Sequence, residues 1–222
     1  MTSASLRSAW LRRLVPMLVV TLALGACAPS AQPAGGVRHD GPGAAAAPAP
    51  SVARSGAPWA LRIAAGNPDG TWYATASAIA EVLARDANDV AAVAEVTSGT
   101  LENLLLVARR EAEAGVGLLH LFEDAFDGTG TFTSAALPDL RVVVMLDEHA
   151  VLFVHTDVDE ALVERLATLL VERREALVER APAAAALSVE RTLALEGVLL
   201  HPGAARAYDA LGAAVPGALR GD

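Results

Sequence analysis

Two short segments gather the residues able to offer hydrogen-bond donors to an oxyanion: Asn67, Gly70, Thr71, Trp72 and Tyr73 in the first, and Thr97, Ser98, Gly99, Thr100 and Asn103 in the second. Each segment follows an apolar strand-like run and opens a helix-like run. The first backbone N–H groups of a helix have no partner within it, and the terminus carries roughly half a positive charge. Two such termini side by side suit a carboxylate or phosphate oxygen. The glycines permit the tight turns, Thr71 is placed as an N-cap, and Trp72 and Tyr73 stand where they can wall a pocket. Glu102, in the first turn of the second helix, is read as favoured by the helix dipole rather than as a catalytic group.

Other chemistries lack their residues. There is no nucleophile elbow, no phosphate-binding Gly-Lys pair and no paired-His motif, and Ser98 has no identifiable histidine and acid partners, so no enzyme activity and no cofactor are expected. His149 and His155, with Asp147 and Glu148 nearby, do not have zinc spacing. Glu123, Asp124 and Asp127 lack the alternating acids and terminal glutamate of a calcium loop, so no metal is expected either.

The elements that must hold the two segments follow from periodicity. Trp59 to Ala65 alternates and leaves through a turn, Trp72 to Arg85 has helical spacing, and Val90 to Val96 is a second strand. Thr100 to Ala112 is a second helix and Val116 to Leu121 a third strand, which leaves His120 at the strand's carboxyl end as a further candidate ligand residue. Strand, helix, strand, helix, strand implies parallel pairing with crossovers, and open sheets of this kind bind ligands beyond the carboxyl ends of their strands. Leu140 to Leu146 and Ala150 to His155 form two more strands, as a hairpin or a bent pair. A long amphipathic helix from Asp159 to Arg180, a short one from Ser188 to Leu195 and a last one opening at Pro202 complete the chain. The fold class expected is α/β, with a mostly parallel sheet flanked by helices and the C-terminal helices packed on it.

Residues 1–26 read as an export signal: Arg7, Arg12 and Arg13, an apolar stretch from Leu14 to Leu24, then Gly25-Ala26 before Cys27. The apolar stretch is far shorter than the roughly 20 residues that span a bilayer, so cleavage is expected. Leu24-Gly25-Ala26-Cys27 resembles a bacterial lipobox, which makes Cys27 a lipidation site and the protein a periplasmic, membrane-anchored lipoprotein. Cys27 is the only cysteine, so no internal disulfide forms. Residues 27–58 are an Ala/Pro/Gly-rich tether too poor in large apolar groups to offset the entropy of ordering it. The folded lobe is placed at 59–222. Cleavage removes three arginines and no acid, taking the formal charge from −9 to −12, which argues against nucleic acid.

Four strings, in order, resemble the TAXI-type solute-binding proteins of TRAP transporters: Asp69-Gly70-Thr71-Trp72-Tyr73, Thr97-Ser98-Gly99-Thr100-Leu101-Glu102-Asn103-Leu104, Asp127-Gly128-Thr129-Gly130-Thr131-Phe132 and Leu200-His201-Pro202-Gly203-Ala204-Ala205-Arg206-Ala207-Tyr208. The resemblance implies one periplasmic-binding-protein-like lobe that binds a small organic anion, amino-acid or dicarboxylate-like, and delivers it to the TRAP permease subunits. The chain departs from that family in passing from Val154–Val158 almost directly into the returning helix, so most of the second lobe is missing. His120 stands where the family usually has glutamine. A single lobe leaves its ligand facing water, where polar contacts are worth about 0.5–1.5 kcal/mol each, so binding near millimolar is expected unless another chain, such as a second copy, covers the site. The alternative function is an envelope interaction or sensor lipoprotein that no longer transports.

Overall fold

Central to the sheet are three strands most of whose side chains are buried, and the helices are arranged to cover them. The computed structural model describes residues 58–221; the expected export signal, the expected lipidation site Cys27 and all but the last residue of the expected tether lie outside the described residues. Strand β1 (Trp59–Gly66) leads through a turn into α1 (Thr71–Asp86), followed by β2 (Val90–Val96), α2 (Thr100–Ala108), β3 (Ala114–Leu118) and α3 (Leu119–Asp127). The hairpin strands β4 (Leu140–Met145) and β5 (Ala150–His155) follow. Then come α4 (Glu160–Glu172), α5 (Arg174–Arg180), α6 (Val189–Leu193) and α7 (Pro202–Ala210).

The strand order is β2-β1-β3-β5-β4. β1 pairs in parallel with β2 and β3, as the alternation of strands and helices predicts, whereas β5 pairs antiparallel with both β3 and β4. The five-stranded sheet is therefore mixed, its parallel half carrying the two candidate turns. β5 is buried along its whole length, and the Phe153 ring packs against that of Phe122 at a tilt of 51° with centroids 5.5 Å apart. Gly115 and Gly117 on β3 make this possible. A Cβ at Gly115 would lie 2.6 Å from the Phe153 ring, and one at Gly117 would lie 2.8 Å from Thr100 Cγ2. The two glycines thus admit a phenyl ring on one strand and the start of a helix over the other.

Helix α1 contacts β1, β2, α4 and α5, while α2 contacts β1, β3, β5 and α3. Ala76, Ile79 and Leu83 carry the buried stripe of α1, as their helical spacing predicts, and Leu104 that of α2. Leu101 and Leu105 of the same helix are exposed. At the far edge α7 lies against α4, so closely that a Cβ on Gly203 would sit 2.3 Å from the Glu160 carbonyl oxygen. Tyr208 of α7 is fully buried and donates its hydroxyl to the Val143 carbonyl at 2.6 Å, tying the C-terminal helix to a bulge in β4. β4 is the outer strand on this side, and the chain covers it twice, through bridges from Leu200 and Ser188. β2, the other outer strand, has no neighbour on its free side among the described residues.

Several boundaries differ from those expected. α2 ends at Ala108, because the chain reverses through Arg110 at φ 61° and returns the Glu111 and Ala112 N–H groups to the Leu106 carbonyl. β3 ends at Leu118, and Leu119 already begins α3, whose own C-cap is the left-handed Gly128. The helix expected from Asp159 to Arg180 is two helices broken at Arg173; its start is capped by Asp159, which accepts the Ala161 and Leu162 N–H groups. Ser188 and His201 cap α6 and α7 in the same manner. From β5 only Thr156–Val158 separate the sheet from the cap of α4. Among the described residues no helix is long and apolar enough to cross a membrane.

Candidate functional site

Because β1, β2 and β3 are parallel, their carboxyl ends lie at one edge of the sheet, and α1, α2 and α3 all begin there. β4 ends and β5 begins at the same edge, so the turn Asp147–His149 joins them. Its His149 carbonyl accepts the Leu119 N–H at 2.7 Å, and Asp147 Oδ2 accepts the Trp72 indole N–H at 3.4 Å. Four connections from different parts of the sequence thus meet at one rim.

The N-cap of α1 is Gly70 and that of α2 is Gly99, and no side chain caps either helix. This corrects the expected role of Thr71, which is the first helical residue and lends its carbonyl to the Thr75 hydroxyl. With glycine at both caps there is no side-chain acceptor for the first-turn N–H groups, in contrast to the self-capped α4, α6 and α7. Gly99 is also needed for its conformation: φ is +126°, a region other residues enter only under strain, and the space where its Cβ would be is open. Gly66 and Gly99 face each other at 3.9 Å, measured from the position of a Cβ on Gly66 to the Gly99 Cα, so the two turns touch.

The predicted residues divide into two groups. Asn67, Thr71 and Ser98 are exposed at the rim, Gly70, Thr97 and Gly99 are half-buried there, and Trp72 and Tyr73 are half-buried against the core. Asn67 shapes its own turn, its side-chain oxygen accepting the Asp69 N–H and its carbonyl the Gly70 N–H, each at 2.9 Å. Thr100 and Asn103 are buried and committed to the fold. The Thr100 hydroxyl accepts the Leu118 N–H at 3.2 Å. Asn103, expected at the surface, donates to the Val116 carbonyl at 2.7 Å and accepts the Thr97 hydroxyl at 2.5 Å. Its amide bridges α2 to β3 because the first turn of α2 lies directly over the strand at Gly117. His120 is not at a strand end but in the first turn of α3, exposed on the same rim.

Two acids complete the arrangement: Glu102, read from the sequence as a first-turn residue favoured by the helix dipole, and Asp147, which the sequence did not place at this rim. Glu102 accepts both the backbone N–H and the hydroxyl of Ser98, at 2.6 and 2.7 Å. These bonds hold its carboxyl below the usual range, so it is ionised at neutral pH. Asp147 Oδ1 accepts the His149 and Ala150 N–H groups at 2.7 and 2.8 Å, which fixes the β4–β5 turn while its second oxygen faces Trp72. The available signal for Asp147 was its place two residues before a turn's last amide, the pattern of an Asx turn. The rim therefore pairs uncapped helix amides with fixed carboxylates. Among the described residues no group of three or more His, Cys, Asp or Glu side chains is placed to hold a metal ion.

Residues 63–151 match the model of a family described as NMT1-like, which is periplasmic-binding-protein-like. The matched span runs from within β1 to the start of β5 and contains every rim residue named above. A search of the curated proteins found no match. The similarity to the NMT1-like family supports an extracytoplasmic solute-binding role for this α/β lobe.

Proposed function

We propose that the chain is the solute-binding subunit of a TAXI-type TRAP transporter, anchored at the membrane surface through Cys27 and binding a small organic anion where α1 and α2 begin. The observation that carries this reading is the pair of glycine caps, Gly70 and Gly99, which leave two adjacent helix starts without a side-chain acceptor at the ligand edge of the sheet. Their amides take a carboxylate, Ser98 and Thr71 add hydroxyls, and Trp72 and Tyr73 supply apolar wall.

The fixed carboxylates of Glu102 and Asp147 favour an amino acid over a dicarboxylate. A second negative group on the ligand would face them at short range, whereas an ammonium would be attracted. Calorimetry on the purified protein with a panel of amino acids and dicarboxylates tests this. Saturable, near-millimolar heat with an amino acid, lost in Gly99→Trp, is the expected result; heat from dicarboxylates alone would reverse the ligand assignment.

Silence across the panel would instead favour the reading as an envelope interaction protein. The exposed side chains of Val96, at the end of β2, and Leu101, in the first turn of α2, lie at the same rim and support that second reading.

A further inference from the structure

Among the described residues nothing pairs with the free side of β2, and the peptide groups along that side can be assigned one by one. The Trp59 N–H donates to the Asp89 carbonyl at 2.7 Å, and the Thr97 N–H donates to the Gly66 carbonyl at 3.1 Å. Successive residues of a strand turn their N–H and C=O groups alternately to its two sides. Asp89, Ala91, Val93, Glu95 and Thr97 therefore direct theirs toward β1, and Val90, Ala92, Ala94 and Val96 direct theirs away from it. Of this outward set only the Val90 N–H has a partner among the described residues, the Ala87 carbonyl at 3.0 Å. The rest form a row of unpaired donors and acceptors on a strand with no proline and no basic residue.

We propose that a second copy of the chain binds this edge, β2 against β2 in antiparallel register about a twofold axis at Val93, so that the two five-stranded sheets become one. The sequence Val90-Ala91-Ala92-Val93-Ala94-Glu95-Val96 is close to its own complement. Reversed, it sets Val93 against Val93 and Val90 against Val96, and its single charge falls opposite Ala91. Ala92 of each copy exchanges both hydrogen bonds with Ala94 of the other, and each Val96 N–H meets a Val90 carbonyl.

Charge selects this register over its neighbour. An axis at Ala94 forms as many peptide bonds but sets the two Glu95 side chains on a cross-strand diagonal, roughly 7–8 Å apart. With the axis at Val93 they are four residues apart along the strands, roughly 13 Å at about 3.3 Å per residue. The same register covers the Val93 side chain, 51% exposed in the single chain, with a β-branched partner. An axis at Ala92 leaves the outward groups of Val96 without partners. Because antiparallel pairing turns the carboxyl ends of the two β2 strands opposite ways, neither copy covers the other's rim of α1 and α2, and the pairing is independent of solute binding there.

The test is oxidative cross-linking of the purified chain carrying Cys27→Ser, so that an introduced cysteine is its only thiol. Val93 would face its counterpart as a non-hydrogen-bonded pair, with Cα atoms about 4.5 Å apart, inside the roughly 4.4–6.8 Å that a disulfide bridges. Val93→Cys is expected to give a disulfide-linked dimer in air. Ala91→Cys alone is expected to stay monomeric, whereas a mixture of Ala91→Cys and Glu95→Cys chains is expected to link. Ala92→Pro removes an outward N–H and leaves the bonds to β1 in place, so it is expected to melt like the parent and to abolish the Val93→Cys cross-link. The proposal is overturned by a Val93→Cys chain that melts like the parent yet does not link, by Ala91→Cys linking as readily as Val93→Cys, or by a cross-link that survives Ala92→Pro. Sedimentation of the parent needs no substitution, and a chain still monomeric at about 1 mM overturns the proposal as well.

Discussion

At the scale of single residues, two side chains set conditions that can be measured. Gly99 holds φ +126° with open space beside it, so a larger residue meets strain but no clash. Gly99→Ala is expected to cost about 1–3 kcal/mol, the range for a residue held in a sparsely populated backbone region. Denaturant unfolding checks this, and an unchanged midpoint would remove the conformational reason for glycine there. His201 is fully buried, and its Nδ1 accepts the Gly203 N–H at 3.2 Å as the cap of α7. Burial pushes its pKa down, although the nearby Thr156 and Val158 carbonyls and Glu160 pull the other way. The folded state therefore takes up a proton later than the unfolded chain as pH falls. Stability contributed by the neutral ring is complete above the unfolded value of about 6.5 and is lost progressively below it. Thermal unfolding should thus show a fall in Tm as pH drops below about 6.5, and His201→Gln should flatten that slope; a slope unchanged in the variant assigns it to another group. The carboxylates act lower: Asp86, held at about 2 by its bond to Arg85 and then by Arg173, loses its contribution only as pH falls below its ordinary value toward 2.

Elements respond to closeness of packing rather than to charge. A methyl on Gly203 would meet the backbone of α4, which cannot swing aside as a side chain can. Gly203→Ala is therefore expected to cost about 1–3 kcal/mol by overpacking. For a domain of this size, at roughly 2–4 °C per kcal/mol, that lowers Tm by about 2–12 °C. The same closeness explains what could and could not be read in advance. β1, α1, β2 and the start of α2 were legible because strand alternation and helical spacing are undisturbed there and glycine marks the turns. The end of β3 was not, since Leu118-Leu119-His120-Leu121-Phe122 is an apolar run that fits strand or helix equally until the packing decides. Nor was the burial of Asn103, which depends on Gly117 letting α2 rest on a strand distant in sequence. The antiparallel entry of β5 between β3 and β4 was open for a similar reason, because a hairpin's pattern does not say which of its strands faces the rest of the sheet. Of the rim, the glycines were visible as punctuation and Glu102 by its place in the first turn of α2. Asp147 became a rim residue only once the fourth connection was brought to the same edge.

For the molecule as a whole, the two outer strands behave differently. β4 is covered by Leu200 and Ser188, but β2 presents Val90-Ala91-Ala92-Val93-Ala94-Glu95-Val96 with one charge and no proline. Such an edge is a template for pairing with another chain. Concentration-dependent association is expected in sedimentation experiments, and Val93→Lys, on a half-exposed side chain, should suppress it; a parent that stays monomeric at high concentration sinks that expectation. The brevity of Thr156–Val158 carries a kinetic consequence. For the solute binding proposed above, the described residues supply no opposing half to swing shut, so departure of a solute would not be gated by them. At a millimolar dissociation constant and an encounter rate near the diffusional ceiling of about 10⁸ M⁻¹s⁻¹, a bound molecule stays for only about 10 microseconds. A protein built this way would pass its solute along as a leaky buffer rather than hold it as a trap, and its resonances would move as a single averaged set throughout a titration.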